Sequence, residues 1–99
     1  MKKMYLLVRN DLPTVYKMVM GGHALAQFAL EHPNIFKEWN NRIIVYLDVC
    51  NEDSFNYHEF ILDEKNIKYS VFKEPDLNNE KAAIAFYSEN IFKKLEIAK

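Results

Sequence analysis

Few side chains in this 99-residue sequence could do chemistry by themselves, and most are isolated from one another. His23, His32, His58 and Cys50 lack the short, repeated spacing from which metal sites are built, so neither a metal nor a cofactor is expected. Cys50 follows an apolar run instead of opening a helix, a context that suits a buried, inert thiol better than the nucleophile of a Cys/His pair, the other reading it allows. No serine lies in a nucleophile-elbow context, and Gly21-Gly22 is too sparse to cradle a phosphate. Two loops hold what remains, Arg9 to Tyr16 and Lys73 to Glu80. Arg9, Lys17, Lys73 and Lys81 fall on loops or edges near the same strand ends, where a phosphate backbone would meet them. Tyr16 and Tyr87 offer flat faces on which bases stack. Arg9 and Asp11 have the spacing of an ion pair that ties down the loop after a strand.

The elements that must position these residues follow from hydrophobic periodicity. Met4 to Val8 is a nearly continuous apolar run, the pattern of a strand buried on both faces. Pro13 places Asn10 to Tyr16 in a loop, and the helical spacing of Ala24, Leu25, Phe28 and Ala29 predicts a helix over 21–32 that Gly21-Gly22 opens. Pro33 starts a short second helix that Asn40-Asn41 closes. Arg42 to Val49 is the most β-branched stretch and predicts the second strand. Asn51-Glu52-Asp53 opens a helix over 53–65, with Asn66 as its left-handed cap. Strands are predicted over 67–73 and 82–87, and Ser88 caps a last helix over 89–97. This order predicts one domain over 1–99, an α/β three-layer sandwich with a four-stranded mixed sheet and helices on both faces. Its ligand side is the end where the two loops begin.

Composition bounds the function. Apolar residues make up 49% of the chain and charged residues 27%, enough for a core without staples. The formal charge is −1, so any RNA binding must come from a local patch. The single cysteine suits a reducing, cytoplasmic setting. The apolar run at Met4 to Val8 is too short for a signal core or a membrane span, so no membrane partner is expected.

Three segments carry a resemblance. Leu6-Leu7-Val8-Arg9-Asn10-Asp11-Leu12 resembles the strand and "R-x-D-L" start of the class II peptidyl-tRNA hydrolases. Gly22-His23-Ala24-Leu25-Ala26-Gln27 resembles their glycine-led, alanine-rich helix opening. Val71-Phe72-Lys73-Glu74-Pro75-Asp76, followed by Ala82 to Phe86, resembles their final loop and strand. The long stretch from Pro13 to Gly21 and the Glu74-Pro75 turn are closer to a divergent branch, the peptidyl-tRNA hydrolase domain-containing proteins. The resemblance spans nearly the whole chain and implies the class II fold, hydrolysis of the ester joining a peptide to tRNA, peptidyl-tRNA or another RNA as partner, and a possible homodimer.

Carried over by position, the resemblance implies catalytic roles for four residues. Glu74 or, with a shifted gap, Asp76 would activate water, with His23 as base or phosphate contact and Gln27 orienting water or a carbonyl. Arg9, Asp11, Lys17 and Gly22 would line the substrate side. The sequence departs from the family where its lysine after the helix-opening glycine becomes His23, its later helix histidine becomes Leu30 and its threonines become Ala82 and Ala83. Those losses keep a second reading open, a catalytically inactive relative that binds RNA or protein. If the site is assembled, Arg9, Asp11, His23, Gln27, Glu74 and Asp76 line one cleft.

Overall fold

The apolar run near the start is β1 (Lys3–Arg9), buried from Met4 through Arg9 as a strand covered on both faces must be. In the computed structural model, which describes residues 1–99, it is followed by α1 (Thr14–Glu31), α2 (Pro33–Trp39), β2 (Ile44–Val49), α3 (Glu52–Glu64), β3 (Tyr69–Glu74), a 3₁₀ turn (Pro75–Leu77) and β4 (Glu80–Ser88). The sheet order is β2-β1-β4-β3. β1 pairs parallel with β2 and antiparallel with β4, and β4 pairs antiparallel with β3. Three strands therefore run one way and β4 runs back between two of them. The ends of β1, β2 and β3 and the start of β4 share one edge of the molecule.

Each sheet face has its own core. Met4, Leu6 and Val8 meet Met20, Ala24 and Phe28 of α1 and Trp39 of α2. Tyr5, Leu7, Ile84 and Phe86 meet Phe55 and Leu62 of α3. The alternation within β1 sends successive side chains to opposite faces, which is why it reads as uninterrupted apolar sequence. The Asn51 side chain caps α3 by accepting from the Ser54 N–H at 3.1 Å. Both glycines lie in α1, and the left-handed positions are all asparagines: Asn40, Asn41, Asn66, Asn78 and Asn79. Asparagine tolerates that region better than other non-glycine residues, so part of its abundance is structural.

Two expected elements change. α1 begins at Thr14, not at 21, because Pro13 sits just ahead of the first turn and supplies the helix entry instead of a loop. Gly21-Gly22 is consequently mid-helix. Gly21 is required there: a Cβ on it would lie 2.3 Å from Cε2 of Tyr46 on β2. The predicted helix over 89–97 is absent. Phe92 of that segment instead packs into the α3-side core against His58 and Phe86. The chain then lies antiparallel along the outer edge of β2, where the Asp48 N–H donates to the Glu96 carbonyl and the Ala98 N–H to the Tyr46 carbonyl, both at 2.9 Å. The spacing of Ile91, Phe92 and Leu95 mimics helical periodicity, but an irregular turn meets the same burial, and the exposed edge of β2 offers backbone partners that a helix would forgo.

Two predictions follow from this packing. Gly21→Ala gains about 1 kcal/mol in helix propensity but displaces the Tyr46 ring, whose hydroxyl donates to the Met18 carbonyl at 3.2 Å. Overpacking of this kind costs about 1–3 kcal/mol. Urea denaturation should show a net loss of about 1 kcal/mol in Gly21→Ala, and a gain when the same change is made in a Tyr46→Ala background.

His58 is 7% exposed, its Nδ1–H donates to the Ser54 carbonyl at 2.6 Å, and Phe92 meets it edge-on. Burial pushes the imidazole below the usual histidine range, with the hydrogen bond to Ser54 opposing. Between the two values the unfolded chain binds more protons than the folded one, so stability rises with pH there. It is complete above about pH 6.5 and falls as pH drops toward the folded-state value. Denaturation at stepped pH should show that slope in the native protein and lose it in His58→Leu.

Candidate functional site

The strand-end edge carries an ion network and a cleft. Arg9, at the end of β1, is 9% exposed. Its guanidinium donates to both oxygens of Asp11, at 3.0 and 2.7 Å, and through Nη1 to Glu80 at 2.7 Å. The charge-assisted fork on Asp11 lowers Asp11 from the usual carboxylate range and raises Arg9. The pair anchors the loop between β1 and α1, as its spacing implies, and the bond to Glu80 joins that loop to the start of β4.

A register shift between Phe72 and Lys73 marks a bulge at Ala82 in the β3–β4 ladder. Beyond it, Lys81 turns to α3: its N–H donates to Glu52 at 2.7 Å and its ammonium to Asn56 and Glu59. Glu80 turns to Arg9. Glu74, Glu80's ladder partner, caps the 3₁₀ turn by accepting from the Asp76 N–H at 3.0 Å. Asn78 and Asn79 then reverse the chain with left-handed backbones.

Between this turn and the first half of α1 lies a cleft of about 280 Å³, lined by Leu12, Pro13, Tyr16, Met20, Glu74, Asp76 and Leu77. Its floor is apolar and its rim carries the two carboxylates. Near it, Arg9 pairs with two further carboxylates, Lys73 is exposed beside Glu74, and Lys81 is held by Asn56 and Glu59. The Asp76 carboxylate makes no hydrogen bond or ion pair within the protein, whereas that of Glu74 is engaged.

The expected constellation is divided. Glu74 and Asp76 line the cleft and Arg9 and Asp11 brace it, but His23 and Gln27 are elsewhere. Tyr16, His23 and Gln27 lie in one row of α1 beside β3, yet His23 is about 10 Å and Gln27 about 16 Å along the axis from Tyr16. The His23 ring stacks on Phe72, with centroids 4.6 Å apart. Gln27 donates to Glu31 at 2.6 Å, and Glu31 accepts from Ser70, the second residue of β3, also at 2.6 Å. Those bonds, Ser70's first, keep Glu31 below the usual range. Gln27 is thus near the start of β3 and Glu74 at its end, so the two do not share one cleft. Gly22 is on the outer face of α1.

Lys17, expected on a loop, is a buried helix residue facing β2. Its ammonium bonds Asp48 at 3.0 Å and the Lys99 main-chain oxygen at 3.2 Å, beside a second cavity of about 360 Å³. It is not presented to a phosphate. The sequence held a signal for this pair: Lys17 and Asp48 are each the lone charge in an apolar stretch, with opposite signs. Glu80 had no such signal, because its orientation depends on the bulge.

No family model matches the chain, and no curated protein matches it. Among solved structures, a protein of unknown function from Agrobacterium tumefaciens strain C58 superposes with a TM-score of 0.72 over 99% of this chain and 98% of that one, at 14% sequence identity. That likeness is one of fold: a small α/β domain with a four-stranded mixed sheet and three helices.

Proposed function

We propose that the domain is a slow ester hydrolase acting on the acylated 3′ end of tRNA, with Asp76 as general base in the strand-end cleft. The observation that carries this reading is the difference between the two rim carboxylates. Glu74 is spent on capping the turn, whereas Asp76 is exposed, unbonded and directly on the cleft. Of the two positions the resemblance offers, Asp76 is therefore the base and Glu74 the residue that positions it. Tyr16 supplies a flat face for the terminal base, and its hydroxyl is a donor for the carbonyl oxygen. Water attacks the ester carbon as Asp76 takes one of its protons, and the protonated Asp76 returns that proton to the ribose oxygen as the acyl C–O bond breaks.

The reading requires slow turnover. His23 and Gln27 do not line the cleft, which leaves the Tyr16 hydroxyl as its one candidate oxyanion donor, and each such donor that is missing costs about a hundred- to a thousand-fold. The two rim carboxylates disfavour a phosphate within the cleft, so only the acyl ester and terminal nucleoside enter. This excess of carboxylates over an apolar floor favours the second reading, a non-hydrolytic module that binds a cationic or apolar protein segment.

Peptidyl-tRNA hydrolysis by purified protein at substrate excess separates the two. Under the hydrolase reading, Asp76→Asn loses on the order of a hundred-fold or more. Glu74→Gln loses less, because its amide oxygen still caps the turn, and His23→Ala and Gln27→Ala stay within about threefold, since neither touches the cleft. Full activity in Asp76→Asn refutes the assignment of the base. A native protein with no hydrolysis moves the conclusion to the binding module.

A further inference from the structure

The cavity beside Lys17, of about 360 Å³, has no part in the cleft chemistry. The two share no lining residue: the cleft lies on the Tyr16 side of α1, beside β3, and this cavity on the Lys17 side, against β2. Its walls are apolar, from Met18 on α1, Ile44 and Val45 on β2, and Ile97 and Ala98 of the segment along the β2 edge. Tyr46 adds a ring whose hydroxyl is already spent on the Met18 carbonyl. Volume and lining suit a small organic molecule. At about 30 Å³ for each water-sized group, the space holds roughly a dozen of them.

One polar group at this cavity is not fully spent. Lys17 is 7% exposed and lines the cavity, and its ammonium donates to Asp48 and to the Lys99 main-chain oxygen. An ammonium carries three donors, and no third acceptor in the chain meets this one. The Thr14 hydroxyl donates to the same Lys99 oxygen at 3.0 Å, so it does not compete for a further acceptor. A buried charged donor with an unmade hydrogen bond is costly. Water answers the donor alone. An oxygen that arrives on an apolar body answers the donor and covers the walls as well.

Charge selects the head group. Asp48 stands 3.0 Å from the ammonium and does not line the cavity, so the cation is already matched from behind. An anionic head would leave water for a site with no net charge to meet it, and a cationic head would meet Lys17 itself. The other charge at the cavity, Lys99, is exposed, where solvent screens it. An uncharged oxygen carries none of these costs. We infer that this cavity binds a small, uncharged aliphatic molecule through one carbonyl or hydroxyl oxygen. The third N–H of Lys17 is its donor, and the β2 edge with the segment lying along it supplies the apolar walls.

The test is titration of the isotopically labelled full chain with hexanamide, hexanoate and hexylammonium, three probes with one body and different heads, followed by amide chemical shifts. Hexanamide should move the amides of Lys17, Val45 and Ala98 saturably, with dissociation on the order of 1 mM. It should leave those of Leu12 and Leu77 at the cleft in place. Hexanoate and hexylammonium should bind about tenfold more weakly or less. Lys17→Met keeps an apolar wall, removes the donor and should weaken hexanamide about tenfold. Ile44→Glu, at an edge residue 41% exposed, leaves Lys17 and Asp48 in place, sets a carboxylate in the wall and should abolish the saturable shifts. If Lys17→Met fails to fold, the three heads and Ile44→Glu decide. No saturable shift with hexanamide, shifts at the cleft instead, equal binding of the three heads, or undiminished binding in either folded variant overturns the inference.

Discussion

The close approach of α1 to the returning strand β4 is the constraint on which the rest of this domain depends. β4 is the one strand running against the others, and it lies between β1 and β3. Its α1-facing residues include Ala82, Ala83 and Ala85, all fully buried. Three methyl groups in place of larger side chains let the helix settle low, and Ala24, Phe28 and Met20 fill the remaining depth. A one-methylene change in such a layer is felt because interiors are close-packed. Ala82 and Ala83 are both core. A hydroxyl at either would need a partner in an apolar layer, so alanine at these two positions is what seals the helix to the sheet.

From that contact the strand-end geometry follows. With α1 fixed along β4 and β3, its first half overhangs the ends of β1 and β3, and the space below becomes the cleft. The bulge at Ala82 then decides which way the charges near the start of β4 point, giving Lys81 to α3 and Glu80 to Arg9. Arg9 closes the loop before α1 and the start of β4 with a single guanidinium. Its partners are about two-fifths exposed, so the pairs contribute less through raw Coulomb energy than through fixing the geometry of two loops.

Much of this was legible in the residues. The strand at Met4 to Val8, the cap at Asn51, the left-handed Asn66 and the Arg9–Asp11 tie each rest on a local rule, and each appears in place. What failed was non-local. Pro13 and Gly21-Gly22 read as punctuation, but Tyr46 on a distant strand makes Gly21 a packing requirement inside a longer helix. Ile91, Phe92 and Leu95 have helical spacing, but the open edge of β2 and the pocket beside His58 claim them first. For the candidate site, the bracing pair was readable from its spacing, and the two carboxylates, named on a resemblance, do line one cleft. The separation of Gln27 from Glu74 was not, because it depends on where along β3 each turn of α1 comes to rest.

α1 therefore does three jobs with three rows. Met20, Ala24 and Phe28 face inward and hold the sheet. Tyr16, His23 and Gln27 run beside β3, and only the first reaches the cleft. Val15, Val19, Gly22, Ala26 and Leu30 face outward and are spared any charge. Helical periodicity keeps these rows apart by about a quarter to a half turn, so a change in one leaves the others' neighbours in place. The inward row answers to packing density and the cleft row to what enters between Tyr16 and Asp76. The outward row meets solvent, and it is the row that holds a mid-helix glycine with open space where its Cβ would be.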